Sequence, residues 1–202
     1  MLRTGLVALL TFMGCAGPGR QLLILTPQKS YPELLEEYRS CTGKGSIDTS
    51  GPIRGILSFT YKSQRDSTFF QFTDALGRKA LLMWITPNTV TARNLIDNKQ
   101  YGYDQIMDFF PFLKIMEPSD ITEFLWGVEP DYREKFKSVD PSITQHIVLE
   151  FSSEKMGEEP RDLVAAKFQD KESNQTVRVK IRNRNRNTDH VNLKKVWKLL
   201  QY

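Results

Sequence analysis

Histidine is almost missing from this chain, with two in 202 residues, and cysteine is equally sparse. His146 and His190 stand in no metal-ligand spacing with cysteine or acid, so neither a zinc site nor histidine-centred proton transfer has a motif to rest on. A Gly-x-Ser-x-Gly elbow, a phosphate loop and a dinucleotide fingerprint are also lacking. Adjacent acids such as Glu36 and Glu37, or Glu158 and Glu159, are expected to face solvent. These gaps argue against an enzyme, and an acyl hydrolase in particular lacks a nucleophile paired with a base. No cofactor or metal is implied.

Charge of one sign is also in short supply. The formal balance is +4, and without the first fourteen residues, which contribute only Arg3, 27 basic residues face 24 acids. Lysines and arginines alternate with acids almost to the C-terminus, whereas nucleic-acid binders gather their excess on one face, so no nucleic-acid partner is expected. Long polar tracts are absent, and 40% hydrophobic with 11% aromatic residues reads as a globular chain sized for a single domain.

The N-terminus has the grammar of a secretory signal over residues 1–14: Arg3, the apolar run Leu6 to Met13, then Gly14 before Cys15. That run is too short to span a bilayer. A cysteine in this position resembles a lipoprotein signal, which implies that Cys15 is the acylated first residue of the mature protein. Phe12 and Met13 stand where that pattern has leucine and a small residue. The alternative is an ordinary signal, or a Cys15–Cys41 disulfide in an oxidising compartment. With Cys15 lipidated, Cys41 is left as a buried, inert thiol.

Residues 15–29, with Gly17, Pro18, Gly19 and Pro27, read as a tether, and residues 30–202 as one folded domain. Ser30 and Glu33 form a capping box for a helix carrying Leu34, Leu35 and Tyr38, ended by Gly43. From Gly45 to Ala92 the period changes to two. Ile53, Leu57, Phe59 and Tyr61 share a face, Phe70 and Phe72 continue it, and Leu81, Met83 and Ile85 resume it after a tight loop at Asp74 to Arg78. Pro87 and Asn88 mark another turn. The middle reads as helical: Asp104 caps a segment bearing Ile106, Met107, Phe109 and Phe110 up to Pro111, and Ser119 caps another bearing Ile121, Phe124 and Leu125, closed by Gly127. Strands return at 143–151, 163–168 and 176–182. This order predicts a mainly β fold with helices: an unclosed antiparallel β-barrel, a curled sheet whose concave side the helices plug.

Apolar residues are the ones in excess. Phe59, Phe70, Phe72, Leu81, Met83, Val177, Val179 and Ile181 are expected on the concave side, with Phe109, Phe110 and Phe124 arriving on helices. They read either as an ordinary packed core or, where short proline-broken helices leave space beneath the sheet, as the lining of a hydrophobic cavity for acyl chains. The segment Val191 to Tyr202, with Leu193, Val196, Trp197 and Leu200 at helical spacing, is a last packing helix or an interfacial one. Arg182, Arg184 and Arg186 alternate with asparagines and are expected to share a solvated sheet edge, with anionic lipid headgroups as a lesser alternative.

Phe72-Thr-Asp-Ala-Leu-Gly77 between two strands resembles the strand, protruding loop and strand of the LolB family of outer-membrane lipoprotein receptors and insertases. Ile96-Asp97-Asn98-Lys99, the helix after Tyr103, and Ile121-Thr-Glu-Phe-Leu-Trp-Gly127 followed by Pro130 resemble that family's central segment, and Tyr38 and Gly43 stand where it has an aromatic residue and a glycine. The resemblance covers roughly Ser30 to Arg182. Asp74 and Ala75 replace the family's usual start of the loop, and Met156, Gly157 and Pro160 match no part of it. The resemblance implies a monomeric, lipid-anchored protein on the periplasmic face of the outer membrane. It would take acylated lipoproteins from a LolA-like periplasmic carrier and use Leu76 as the loop residue that enters the bilayer. Alternatives are a carrier of lipid or glycolipid, and an envelope interaction scaffold without a cavity.

Overall fold

A computed structural model describes residues 28–52, 54–109, 113, 115–155 and 161–198. The leader, Cys15, nearly all of the tether, Phe110 and Pro111 lie outside these residues, as do Ile53 and the segment Met156 to Pro160.

Ser30 caps the first helix: its N–H and hydroxyl both donate to the Glu33 carboxylate at 2.7 Å. Helix α1 (Tyr31–Glu37) follows and stops well before Gly43. The chain turns at Tyr38 and enters β1 (Ser40–Ser50), so Gly43 is a strand residue and does not end the helix. Then come β2 (Gly55–Gln64), β3 (Ser67–Thr73), β4 (Lys79–Thr86), β5 (Thr89–Asn94) and β6 (Lys99–Tyr101), a meander joined by short turns. Four helices fill the middle: α2 (Tyr103–Phe109), α3 (Pro118–Trp126), α4 (Tyr132–Ser138) and α5 (Pro141–Thr144). Strands β7 (Ile147–Lys155), β8 (Arg161–Asp170) and β9 (Gln175–Asn187) return, and α6 (Leu193–Trp197) ends the described chain.

The nine strands form one antiparallel sheet in the order β6-β5-β4-β3-β2-β1-β9-β8-β7. Only the β1–β9 pairing is made by strands distant in sequence, so it joins the two meanders. The sheet does not close, and its outermost strands are β6 and β7. Its concave face and α1 to α3 share one core, with Phe59, Phe70, Phe72, Trp126, Val177 and Ile181 all nearly inaccessible. This is the curled sheet plugged by helices that the alternating pattern predicts.

Several boundaries differ for identifiable reasons. Glu117, not Ser119, caps α3; its N–H donates to the Asp120 carboxylate at 2.8 Å, and Pro118 takes the first helical position. Helix α2 begins at Tyr103, so Asp104 sits within its first turn. The polar stretch from Asp131 holds α4, whose Lys135 Nζ bonds the buried Asp120 at 3.0 Å. Burial raises the Asp120 carboxyl above its usual range even with this partner. Residues 143–146 precede β7 as helix and turn.

Helix α6 lies on the opposite, convex face. Trp197 meets Trp84 edge to face with ring centroids 4.9 Å apart, and Leu193 and Val196 pack against Phe69 and Leu82. Of the two roles open to this segment, it takes that of a packing helix, covering the outward apolar residues of β3 and β4.

The arginines of β9 do not make a solvated edge. Along β9, Val177, Val179 and Ile181 belong to the concave-face core, and continued alternation would turn Arg184 and Arg186 outward. A bulge intervenes: Lys44 pairs with Asn183 but Gly45 pairs with Ile181, leaving Arg182 as the extra residue. The parity flips, Arg182 stays exposed, and Arg184 and Arg186 turn inward with side chains 1% and 11% accessible.

Candidate functional site: an apolar cavity closed at one end

The inward arginines define one end of the interior. Gly127 ends α3 in the left-handed region at φ 95°, which leaves the last helical carbonyls without intrahelical partners. Arg184 donates from Nε to the Leu125 carbonyl at 2.7 Å and from Nη2 to those of Phe124 at 3.1 Å and Leu163 at 2.6 Å. Arg186 donates to the Trp126 carbonyl at 2.6 Å. Asp162 neutralises both, 3.1 Å from Arg184 and 2.8 Å from Arg186. Two cations at a helix C-terminus also complement the helix dipole.

Neutral groups extend this clamp. Tyr61 donates its hydroxyl to the Leu125 carbonyl at 3.0 Å, with the Cys41 thiol 3.7 Å away. Burial pushes the Cys41 thiol up to about 11, which disfavours the thiolate, and among the described residues it has no disulfide partner. Trp126 donates its indole N–H to Ser63 at 2.8 Å, and Ser63 also accepts from Thr68. Ser40, Cys41, Tyr61, Ser63, Thr68, Arg184 and Arg186 all lie toward the same ends of their strands. The interior is therefore closed there by polar bonds.

Next to this clamp, between the concave face and the helices, lies a cavity of about 120 Å³ lined by apolar side chains. Of the residues predicted for it, Phe59, Phe70, Phe72, Met83, Phe124, Val177 and Val179 line its wall. Leu81, half-buried, and Ile181, buried, belong to the surrounding core. Phe109 falls on the last position of α2, and its side chain lies outside the described residues. Residues that the sequence argument did not assign to the cavity complete the wall: Ile47, Ile85 and Val90 from the sheet, and Ile106, Leu113, Ile121 and Leu125 from the helical side. The strand members were readable as inward positions of their alternation, except Ile47, whose strand carries glycines in place of neighbouring apolar residues.

Those glycines shape the wall. A Cβ on Gly43 would overlap the Tyr61 ring and the Asn183 carbonyl, and one on Gly45 would overlap the Phe59 ring and the Lys180 carbonyl. The rings of β2 thus lie flat across β1, and Phe59 meets Phe70 edge to face at 5.4 Å.

Leu76 sits beyond the strand ends opposite the clamp, in the loop between β3 and β4, and is 78% exposed. Asp74 holds this loop in shape: its Oδ1 accepts from the N–H groups of Leu76 at 3.0 Å and Arg78 at 2.9 Å, and its Oδ2 accepts from Arg78 Nε at 2.7 Å. Gly77 supplies the left-handed residue at φ 80°. Asp74 therefore stiffens the loop.

A pH dependence follows. The N–H and side chain of Arg78 hold the Asp74 carboxyl below its ordinary range. A depressed value stabilises the folded loop above the unfolded carboxylate pKa of about 4, and that contribution is lost as acid titrates the folded group. Amide exchange at Leu76 and Arg78, corrected for its intrinsic pH dependence, is expected to accelerate in acid ahead of the β2 amides. Protection that falls only together with β2 would contradict this role.

No family model matches the chain, and no curated protein matches it. Among solved structures, a LolA superfamily protein from Nitrosomonas europaea is similar at 10% identity, over 83% of this chain and 97% of that one, with a TM-score of 0.44.

Proposed function

We propose that this chain is a membrane-anchored acceptor which takes acylated lipoproteins from a LolA-like periplasmic carrier and passes them to the outer membrane, binding its cargo without chemical conversion. The supporting observation is the pairing of an apolar cavity with an exposed, rigidly presented leucine at the end opposite the clamp. Each acyl methylene left in water costs about 0.8 kcal/mol, which makes a dry interior necessary for moving such chains. The resemblance of roughly Ser30 to Arg182 to the LolB family supports the direction of transfer and the outer-membrane location, and the lipoprotein-like signal before Cys15 supports the anchor.

As it stands the cavity, at about 120 Å³, is small against a long acyl chain. A full acyl chain therefore enters as the interior widens. Helix α3 is held at one end by Lys135 and at the other by Arg184 and Arg186. Helix α2, which contributes Ile106 to the wall, is the element to move.

Burying one leucine in a bilayer contributes about 1.5–3 kcal/mol, so Leu76→Glu is expected to slow delivery to acceptor vesicles by at least tenfold while leaving folding and acyl binding intact. Reconstituted transfer from a loaded carrier measures this. Undiminished delivery would remove the insertion step, and failure of the native chain to bind any acylated protein or lipid would remove the reading altogether.

A further inference from the structure

Among the described residues three large aliphatic side chains face solvent, Ile56 at 64%, Leu76 at 78% and Ile96 at 62%. They are far apart in sequence, yet the sheet register gathers them. Ser58 pairs with Thr73, so Ile56 extends two residues past the end of β3, beside the loop that carries Leu76. Leu95 donates its N–H to the Ala80 carbonyl at 2.9 Å, which ties the turn bearing Ile96 to the start of β4, on the other side of that loop. All three thus stand at the end of the sheet opposite the arginine clamp. An ordinary soluble surface scatters such residues singly.

The charges around them are uneven. Arg54, Arg78, Lys79, Arg93, Lys99 and Arg178 lie at this end of β2 to β6 and on the adjoining stretch of β9, against Asp48, Asp74 and Asp97. Two of the acids are bonded, Asp74 by Arg78 and Asp97 by the Asn94 side chain, and Asp48 stands opposite Arg178 in the register. An excess of three positive charges on this rim compares with four over the whole chain.

We infer that this end of the sheet is a three-point docking platform for an anionic phospholipid surface, in which Ile56 and Ile96 enter the headgroup region beside Leu76 and the basic rim reads the lipid phosphates. Aliphatic tips set among cations match an interface that is apolar below and negative above. A protein partner of acidic character would satisfy the charges, but three separated, protruding aliphatic tips offer no groove for one. The platform rests on the proposed membrane role of Leu76, and it extends that role from one loop to three elements. It sets the orientation of the cavity, because a protein held at three points presents a fixed end to the bilayer.

The test uses the full chain with Cys15→Ser, carrying a single cysteine in place of Ile56, Leu76 or Ile96 and labelled with an environment-sensitive fluorophore. Cys41 is fully buried and stays unlabelled. Vesicles are phosphatidylcholine alone or an equal mixture with phosphatidylglycerol. All three labels are expected to shift to the blue on the anionic vesicles and far less on the neutral ones. Each basic residue near such a surface contributes about a fivefold gain in affinity, so Lys79→Gln and Lys99→Gln are each expected to weaken binding by about that factor. A shift at position 76 alone, an equal response to both vesicles, or no response at any position overturns the platform. Acyl-chain binding by the same proteins without vesicles is measured in parallel; its loss would strike the cargo reading and leave the docking result standing.

Discussion

Arg184→Met is expected to lower the unfolding free energy by about 3–5 kcal/mol, the usual cost of removing one partner from a buried ion pair. The substitution leaves Asp162 with Arg186 alone and strips the Phe124 and Leu163 carbonyls of a donor, while Leu125 keeps Tyr61. Methionine fills much of the same space, so the effect reports on charge and hydrogen bonds more than on a void. Arg182→Met is the matched control: it removes the same side chain from the exposed bulge and is expected to change stability by less than about 0.5 kcal/mol. Denaturant midpoints, with the slope unchanged, measure both. Equal effects at 182 and 184 would mean that the clamp does not hold α3.

Val179→Trp is expected to weaken binding of an acyl probe by at least tenfold, or about 1.4 kcal/mol. Val179 lines the cavity from β9, and an indole at that position occupies the space a guest needs. Overpacking is expected to cost about 1–3 kcal/mol of stability, which leaves the fold intact for the measurement. Titration with a fluorescent fatty acyl probe separates binding from folding when thermal unfolding is followed on the same samples. Unchanged affinity would place the guest elsewhere on the molecule.

The strands were legible where side chains alternate within one strand, as in Leu57, Phe59 and Tyr61 or Leu81, Met83 and Ile85. The β1 strand, Ser-Cys-Thr-Gly-Lys-Gly-Ser-Ile-Asp-Thr-Ser, carries little such pattern, because its inward positions at Gly43 and Gly45 are covered by rings from β2. A cross-strand arrangement of this kind leaves no local signal, and it explains why Gly43 reads as a helix terminator. Leu76 was readable from its loop, and the structure adds how Asp74 presents it.

The arginines mislead for a related reason. Strict alternation through Arg182, Arg184 and Arg186 suggests one solvated face, but a single bulge reverses the facing of everything after it. Only the pairing of β9 with β1 reveals it, and that pairing joins segments more than a hundred residues apart. The carbonyls that the arginines serve, at the end of α3, are distant in sequence as well. The rest of the cavity wall was hidden in the same way, since Ile106, Ile121 and Leu125 become wall residues only once their helices lie beneath the sheet.

Arg184 and Arg186 fasten the C-terminal end of α3. On the proposed reading this leaves one doorway, on the α2 side, so filling and emptying would take turns and a donor would wait until the previous occupant had left.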